Sequence, residues 1–497
     1  MAFRIKQLAS QTAIYGLSNI VPRLLNYLLT PLLTGIFEPS VYAIVNELYS
    51  YIAITLAVLT FGLETALLRF SQLESDERQV FGTAFCMVAV LTGLFFIAVV
   101  AGADTISHWL RYPGHSDYVI MFSLIIALDA LSALPQTRLR QLNKAGHFAF
   151  INLVNVGVSV MLILFWLVYC RQVYLAEGRD AHFLVKYLYN HDYGVAYVFI
   201  SNIVASGVRL LMLLPVLGSS LGRPSLALGR RMLAYSWPLA VGSVCFIINE
   251  KADILFLTHT LPREEARHAV GVYAACYKLA LLMYLFIQAF RFAAEPYFFA
   301  QLGKKDEKEI YATVMEWFVG FCLGIFLFIN LFIDLLKYFI TQEVYWEGLG
   351  IVPIISMAIL LSGIYLILSM WYKLSGHTQY GMYFSLLGAF VTVTGNVVLI
   401  PLVGYWGSAW ATLACYLTMT AVSYFFGSRI YKISFNLRKL GILTGIAAAF
   451  YAMFLWIIPE NSYMRWGIAS LLLFLYFYLA YGIVGRKPFL YGMYRKN

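Results

Sequence analysis

Ionisable side chains sit inside runs of this chain that are otherwise apolar enough for lipid. Arg23 lies in the first run, Glu47 in the second, Glu250, Lys251 and Asp253 in the seventh, and Lys278, Arg291 and Glu295 in the eighth. A charge at the bilayer centre costs about 2.5–3.5 kcal/mol even on the lenient insertion scale, so such groups face a wet cavity or a partner. Two chemistries suit them. Arginine bonds phosphate oxygens bidentately through its planar fork, which makes Arg23 and Arg291 the first candidates for an anionic cargo and Lys251 and Lys278 the next. Acids carry protons or small cations instead. Glu250 and Asp253 are three residues apart on one helical face with Asn249 alongside, so they could share a proton or bind a sodium ion. Glu47, Asp129 and Glu295 are further embedded acids with the same potential. Plainer readings stand beside each. Arg291 and Glu295, four apart, can neutralise each other, and Lys251 can pair within its own acidic cluster. Arg209, nearer a helix end, is expected to snorkel.

On two runs the polar residues form stripes. Tyr15, Asn19, Arg23, Asn26 and Thr30 recur at steps of four, four, three and four; Tyr277, Tyr284, Gln288, Arg291 and Glu295 keep one face in the same way. The stripes read as walls of a water-filled, polar-lined cavity inside a helical bundle.

The elements that must position these residues are membrane helices. Hydrophobic residues make up 61% of the chain and charged ones 12%, against about 25% charged in soluble proteins. The expected fold is an all-α polytopic membrane protein. A span needs about 20 apolar residues, and about fourteen fit, near 10–36, 41–66, 80–103, 117–137, 147–170, 193–217, 232–260, 270–298, 311–333, 350–372, 380–401, 404–428, 438–458 and 464–484. The longest connection, about 171–192, is too short for a domain. Arg4 and Lys6 are followed directly by a run long enough to span, so the first helix is expected to remain rather than be cleaved.

Basic residues orient the helices. With the N-terminus in the cytoplasm, about 22 Lys and Arg fall in inner segments and about 8 in outer ones, which puts both termini inside. That distribution also accounts for the net charge of +10. No stretch interleaves Lys and Arg with aromatics, so nucleic acid is not an expected partner. The six cysteines are scattered singly and the eight histidines are dispersed, giving neither a disulfide framework nor a metal site.

A repeat at an offset of about 231 pairs Val41-Tyr42-Ala43 with Val272-Tyr273-Ala274, Leu48 with Leu279 and Glu64 with Glu295. Counting spans gives the same division: a six-helix lobe at 1–230, a second at 231–434, and two further helices with a tail at 435–497. An even number per half makes the repeats parallel, an arrangement suited to alternating access around a central cavity.

The stretch Ser236-Trp237-Pro238-Leu239, then Asp253, then Val270 to Leu279, then Ala294-Glu295-Pro296, resembles the polysaccharide biosynthesis flippases. These are the translocases of lipid-linked oligosaccharides (O-antigen and capsule units) within the multidrug/oligosaccharidyl-lipid/polysaccharide exporter superfamily. Trp371-Tyr372-Lys373-Leu374, Gly388, Asn396, Ile400-Pro401 and Gly404 to Ala409 extend the resemblance, as do Tyr15-Gly16-Leu17-Ser18 and Pro135 to Lys144. One departure stands out. The family often carries Asp-Arg in the seventh helix, whereas Ile254 follows Asp253 here; Lys251 is the nearest cation.

The resemblance implies a bacterial inner-membrane carrier of an oligosaccharide on undecaprenyl pyrophosphate. Its pyrophosphate and sugar contacts would be Arg23, Arg291, Lys251, Lys278, Asn19, Asn26, Gln288 and Tyr284. Its coupling residues would be Glu250, Asp253, Asn249, Glu47, Asp129 and Glu295. Its partners would be the lipid-linked oligosaccharide, membrane lipid, H+ or Na+, and other polysaccharide assembly proteins, with no cofactor and no catalysis of its own. A lipid II flippase or a cation-coupled drug exporter would share the architecture. A membrane polymerase or ligase would need a larger outer loop, and no G-x-x-x-x-G-K-[ST] motif offers ATP drive.

Overall fold

The computed structural model describes residues 16, 20–178, 183–301, 307–457 and 461–485, with the side chains of 184, 293, 295, 296 and 299–301 outside that description. The described chain is helical, with no strand. Thirteen of its helices are long and apolar enough to cross a membrane, and each coincides with one of the expected spans after the first. Of the expected first span, residues 20–36 form a shorter apolar helix, α1 (Ile20–Ile36); Tyr15 and Asn19 lie outside the described residues.

The chain divides into two compact units, Met1–Gly271 and Val272–Asn497. In the first, α2 (Pro39–Thr60) packs against α6 (Ser116–Gln141) and α9 (Leu226–Thr260). It begins at Pro39, where a missing N–H costs nothing. It runs on into α3 (Leu63–Leu73) through Phe61 and Gly62, both left-handed. α4 (Glu77–Ala101) is capped by Asp76, whose carboxylate accepts from the Arg78 and Gln79 amides. The short α5 (Ala103–Trp109) leads into the turn before α6. α7 (Ala145–Leu164) and α8 (Ala196–Ser220) lie together, and α8 also packs on α6.

The start of α9 is fixed by backbone contact with α4. A Cβ on Gly82 would lie 2.1 Å from the Gly222 carbonyl oxygen, and one on Gly222 would lie 2.5 Å from the Arg78 carbonyl. Beside them Thr83 Oγ1 accepts from the Ser225 amide at 3.0 Å, and Ser225 in turn caps α9 at Leu228.

Across the longest connection, 171–192, the described residues are largely helical. A π segment, Phe165–Cys170, leads into Arg171–Glu177, followed by Phe183–Leu188 and a 3-10 turn at His191–Tyr193. Aromatic contact explains the order: Tyr197 stacks on both Trp166 and Tyr189.

α10 (Arg263–Gln301) crosses the division between units. In the second unit α11 (Glu307–Leu331) packs on α12 (Val352–Leu368), while α13 (Gln379–Val403) and α14 (Tyr405–Ile430) form a close pair. The final helices, α15 (Leu437–Ile457) and α16 (Ser462–Val484), both pack against α11. Tyr476 on α16 donates to the Gly320 carbonyl at 3.0 Å, which satisfies a phenol that is fully buried.

Candidate functional site

Glu47 is 1% exposed, and its sequence neighbours give no hint of what holds it. The partner is Tyr112, from the turn after α5, whose hydroxyl donates to Oε2 at 2.5 Å. Burial and then the Glu47 carboxylate raise the Tyr112 pKa well above the ordinary phenol value, so Tyr112 stays a proton donor. Oε1 of Glu47 is buried and has no hydrogen-bond partner among the described residues.

Two arginines organise the surroundings. Arg111, left-handed at φ 64, donates to the carbonyls of Thr258, His259 and Leu261 at 2.8, 2.9 and 2.7 Å. It thereby places a cation on the negative end of α9 and satisfies three terminal acceptors. Arg267, at the start of α10, donates to the Arg111 carbonyl at 3.0 Å and lies 4.8 Å over the Tyr112 ring. One turn along α2, the Tyr51 hydroxyl and His259 Nε2 are 2.6 Å apart. Sequence reasoning reached Glu47 and missed Arg111, Tyr112, Arg267, Tyr51 and His259. Tyr112-Pro113-Gly114 carries only a turn signal.

A second, half-buried network crosses three helices. Asp129 on α6 forms an ion pair with Arg209 on α8, with side-chain exposures of 21% and 16%. Ser206 donates to Asp129 at 2.6 Å, and Asn202 donates to the Tyr49 hydroxyl of α2 at 2.6 Å. Arg209 therefore does not snorkel; it turns inward because a carboxylate is within reach. Asn202, Ser206 and Arg209 recur at steps of four and three, a stripe that would have revealed this face.

The remaining candidates are placed as follows. Arg23 and Asn26 on α1 are exposed. On α9, Asn249 and Asp253 are buried one turn apart, while Glu250 and Lys251 are half-buried. An Asp253 carboxylate oxygen accepts from the Ile254 amide at 3.0 Å. On α10, Lys278, Tyr284 and Arg291 are half-buried and Gln288 is buried; the Glu295 side chain and Asn19 lie outside the described residues. Among the described residues no three His, Cys, Asp or Glu converge on a metal position.

A buried carboxylate at Glu47 and a half-buried Asp129–Arg209 ion pair inside apolar spans are a polytopic membrane protein's arrangement, and sequence comparison supplies the family. The profile described as polysaccharide biosynthesis protein matches residues 8–301, more than half of the chain. The chain belongs to the polysaccharide biosynthesis protein family. The MatE family profile also matches, over residues 238–398. No individual curated protein matches at a significant level.

Solved structures share the fold. The lipid II flippase MurJ in its inward closed conformation aligns with a TM-score of 0.71 at 12% identity, covering 97% of this chain and 100% of MurJ. An inward-facing multidrug resistance MATE family transporter of the MOP superfamily aligns at 0.61 and 13% identity, over 84% of this chain and 94% of its own. A MOP superfamily transporter from Pyrococcus furiosus, described as having a binding pocket of reversed polarity, aligns at 0.58 and 14% identity, over 85% and 95%.

Many residues that carry this polysaccharide biosynthesis protein's family resemblance pack helices together. Gly271 meets α2 so closely that a Cβ would lie 2.0 Å from the Pro39 carbonyl oxygen. Trp371, fully buried, donates to Ser423 at 3.3 Å. Ser408 donates to Asn396 at 2.7 Å, tying α14 to α13. Arg138, from the Pro135 to Lys144 block, pairs with Glu77 at 2.7 Å.

Proposed function

We propose that this chain is an alternating-access flippase that moves an undecaprenyl-pyrophosphate-linked oligosaccharide across the bacterial inner membrane for O-antigen or other lipopolysaccharide-type surface polysaccharide assembly. The observation that carries the reading is the family match over residues 8–301 in a chain whose described residues form thirteen membrane-length helices. Enzymes of polysaccharide assembly must present a catalytic site, whereas a carrier needs polar groups inside its spans. Charged groups within apolar helices, at Glu47, Asp129, Arg209, Glu250, Lys251 and Asp253, fit the carrier.

In this reading Arg23 and Arg291, then Lys251 and Lys278, take the pyrophosphate through charge-assisted hydrogen bonds. Asn19, Asn26, Tyr284 and Gln288 replace water around the sugars. Asp129 has its charge matched by Arg209, and Glu47 is held by Tyr112. The coupling cluster for H+ or Na+ is therefore Asn249, Glu250 and Asp253, with Glu295 an additional acid on α10. The termini lie in the cytoplasm by the distribution of Lys and Arg. The lobes are the repeats 1–230 and 231–434, with 435–497 appended.

Deletion followed by analysis of undecaprenyl-linked intermediates tests the proposal. Build-up of complete units on the cytoplasmic leaflet, reversed by the wild-type chain, is the expected result. Unpolymerised units already on the outer leaflet would overturn it in favour of an enzyme, and accumulation of lipid II would assign the cargo differently.

A further inference from the structure

The second unit contains a basic cavity of about 620 Å³ where the starts of α11 and α15 meet the end of α16. Its position at helix ends places it at the level of lipid headgroups. Lys308, Lys432 and Lys439 line it, together with the hydroxyl of Ser434 and the amide of Asn436. The three lysines are not equivalent. Lys439 pairs with Glu316 at 3.0 Å, and its Nζ also reaches the Val484 carbonyl at 3.5 Å. That pair forms a neutral floor.

Lys308 and Lys432 are exposed, and neither has an ion-pair partner among the described residues. Lys308 lies 5.2 Å over the Tyr431 ring, and the Tyr431 hydroxyl donates to Glu307. The ring thus holds one cation at the rim without neutralising it. Asn436 caps α15 by accepting the Lys439 amide at 3.1 Å, which leaves its NH2 group as a donor and brings the positive end of a 21-residue helix to the cavity. Glu309 is the opposing charge on the lining. Among the described lining residues, with Lys439 and Glu316 cancelling, two lysines face Glu309, a surplus of one positive charge plus the helix end; Glu307, bonded to Tyr431, lies outside the lining.

The geometry points to a binding site for the headgroup of an anionic phospholipid, a phosphodiester carrying one negative charge. Charge matching favours this monoanion over the largely dianionic inorganic phosphate. The site at a helix-end cavity lets the phosphate reach the lysines while the acyl chains remain in the bilayer. It is separate from the residues assigned to cargo and coupling, and it stands whether or not that assignment holds.

The test uses the full chain purified in detergent, with lipid binding followed by native mass spectrometry and by thermal stability. Phosphatidylglycerol is expected to bind and stabilise, and phosphatidylcholine to do neither. Each lysine near a membrane surface contributes about fivefold, so K308A/K432A should weaken phosphatidylglycerol binding by roughly 25-fold. Glu309→Gln should tighten it several-fold, an effect that no folding defect would mimic. K144A/R230A, with the same change in net charge at basic positions of the first unit, should bind as wild type. Unchanged affinity in K308A/K432A, or an equal loss in K144A/R230A, would overturn the site. Displacement of phosphatidylglycerol by millimolar inorganic phosphate would also overturn it, since the pocket would then be one for free phosphate.

Discussion

Asp129→Ala leaves Arg209 charged among apolar helices, with a side chain only 16% exposed. Removing one member of a fully buried pair costs about 3–5 kcal/mol. Partial exposure lowers this to about 2–3 kcal/mol for Asp129→Ala and for Arg209→Met alike. In D129A/R209M neither charge is stranded, and the remaining costs are the lost Ser206 bond and a small void, together about 1–2 kcal/mol. The double variant should therefore be less damaged than either single one, with a coupling energy of about 3–4 kcal/mol. Reversible unfolding of the purified chain in mixed micelles measures the cycle. Transport separates the two roles available to Asp129: as a structural partner it can be lost together with Arg209 while flipping persists, whereas a proton carrier cannot. Additive losses within about 0.5 kcal/mol, or a stable double variant that no longer transports, would refute the reasoning.

Other substitutions probe the same architecture. Gly271→Ala drives a methyl group into the Pro39 carbonyl and should cost more than about 3 kcal/mol, seen as lost monodisperse protein by size-exclusion chromatography; Gly157→Ala, with open space around it, should elute unchanged. Tyr112→Phe removes the hydroxyl that donates to Glu47 and should destabilise by about 1–3 kcal/mol, while Glu47→Gln, which can still accept from Tyr112, should cost less. Arg111→Ala releases three carbonyls at the end of α9, so hydrogen exchange should accelerate around residues 257–261 with little change in α8. Arg23→Ala and Arg291→Ala should each lower flipping of a fluorescent lipid-pyrophosphate at least tenfold without changing thermal stability, and Arg→Lys at either position should restore part of it.

The spans were legible because about 20 apolar residues between polar turns have one economical solution in lipid. Their charged residues were legible for the converse reason. Partnerships were harder to read. Glu47 meets Tyr112 across a separation in sequence that no periodicity reveals, and its anchor sits in a turn whose proline and glycine say nothing about a phenol. Arg209 could have been found, since Asn202 and Ser206 extend its face, but a position near the end of an apolar run favours snorkelling until a carboxylate is seen opposite. The connection at 171–192 reads as a loop because it is polar. Its described residues form short helical segments, with Tyr197 stacked on Trp166 and Tyr189.

Leu221-Gly222-Arg223-Pro224-Ser225 has the look of a permissive linker, the place an engineer would graft a tag or a fluorescent reporter. The abutting backbones of Gly82 and Gly222, together with the bond from the Ser225 amide to Thr83, make it a rivet. α9 takes its starting position from α4, not from the helix that precedes it in the chain. Grafts there would prise apart two helices, so reporters belong elsewhere on this protein.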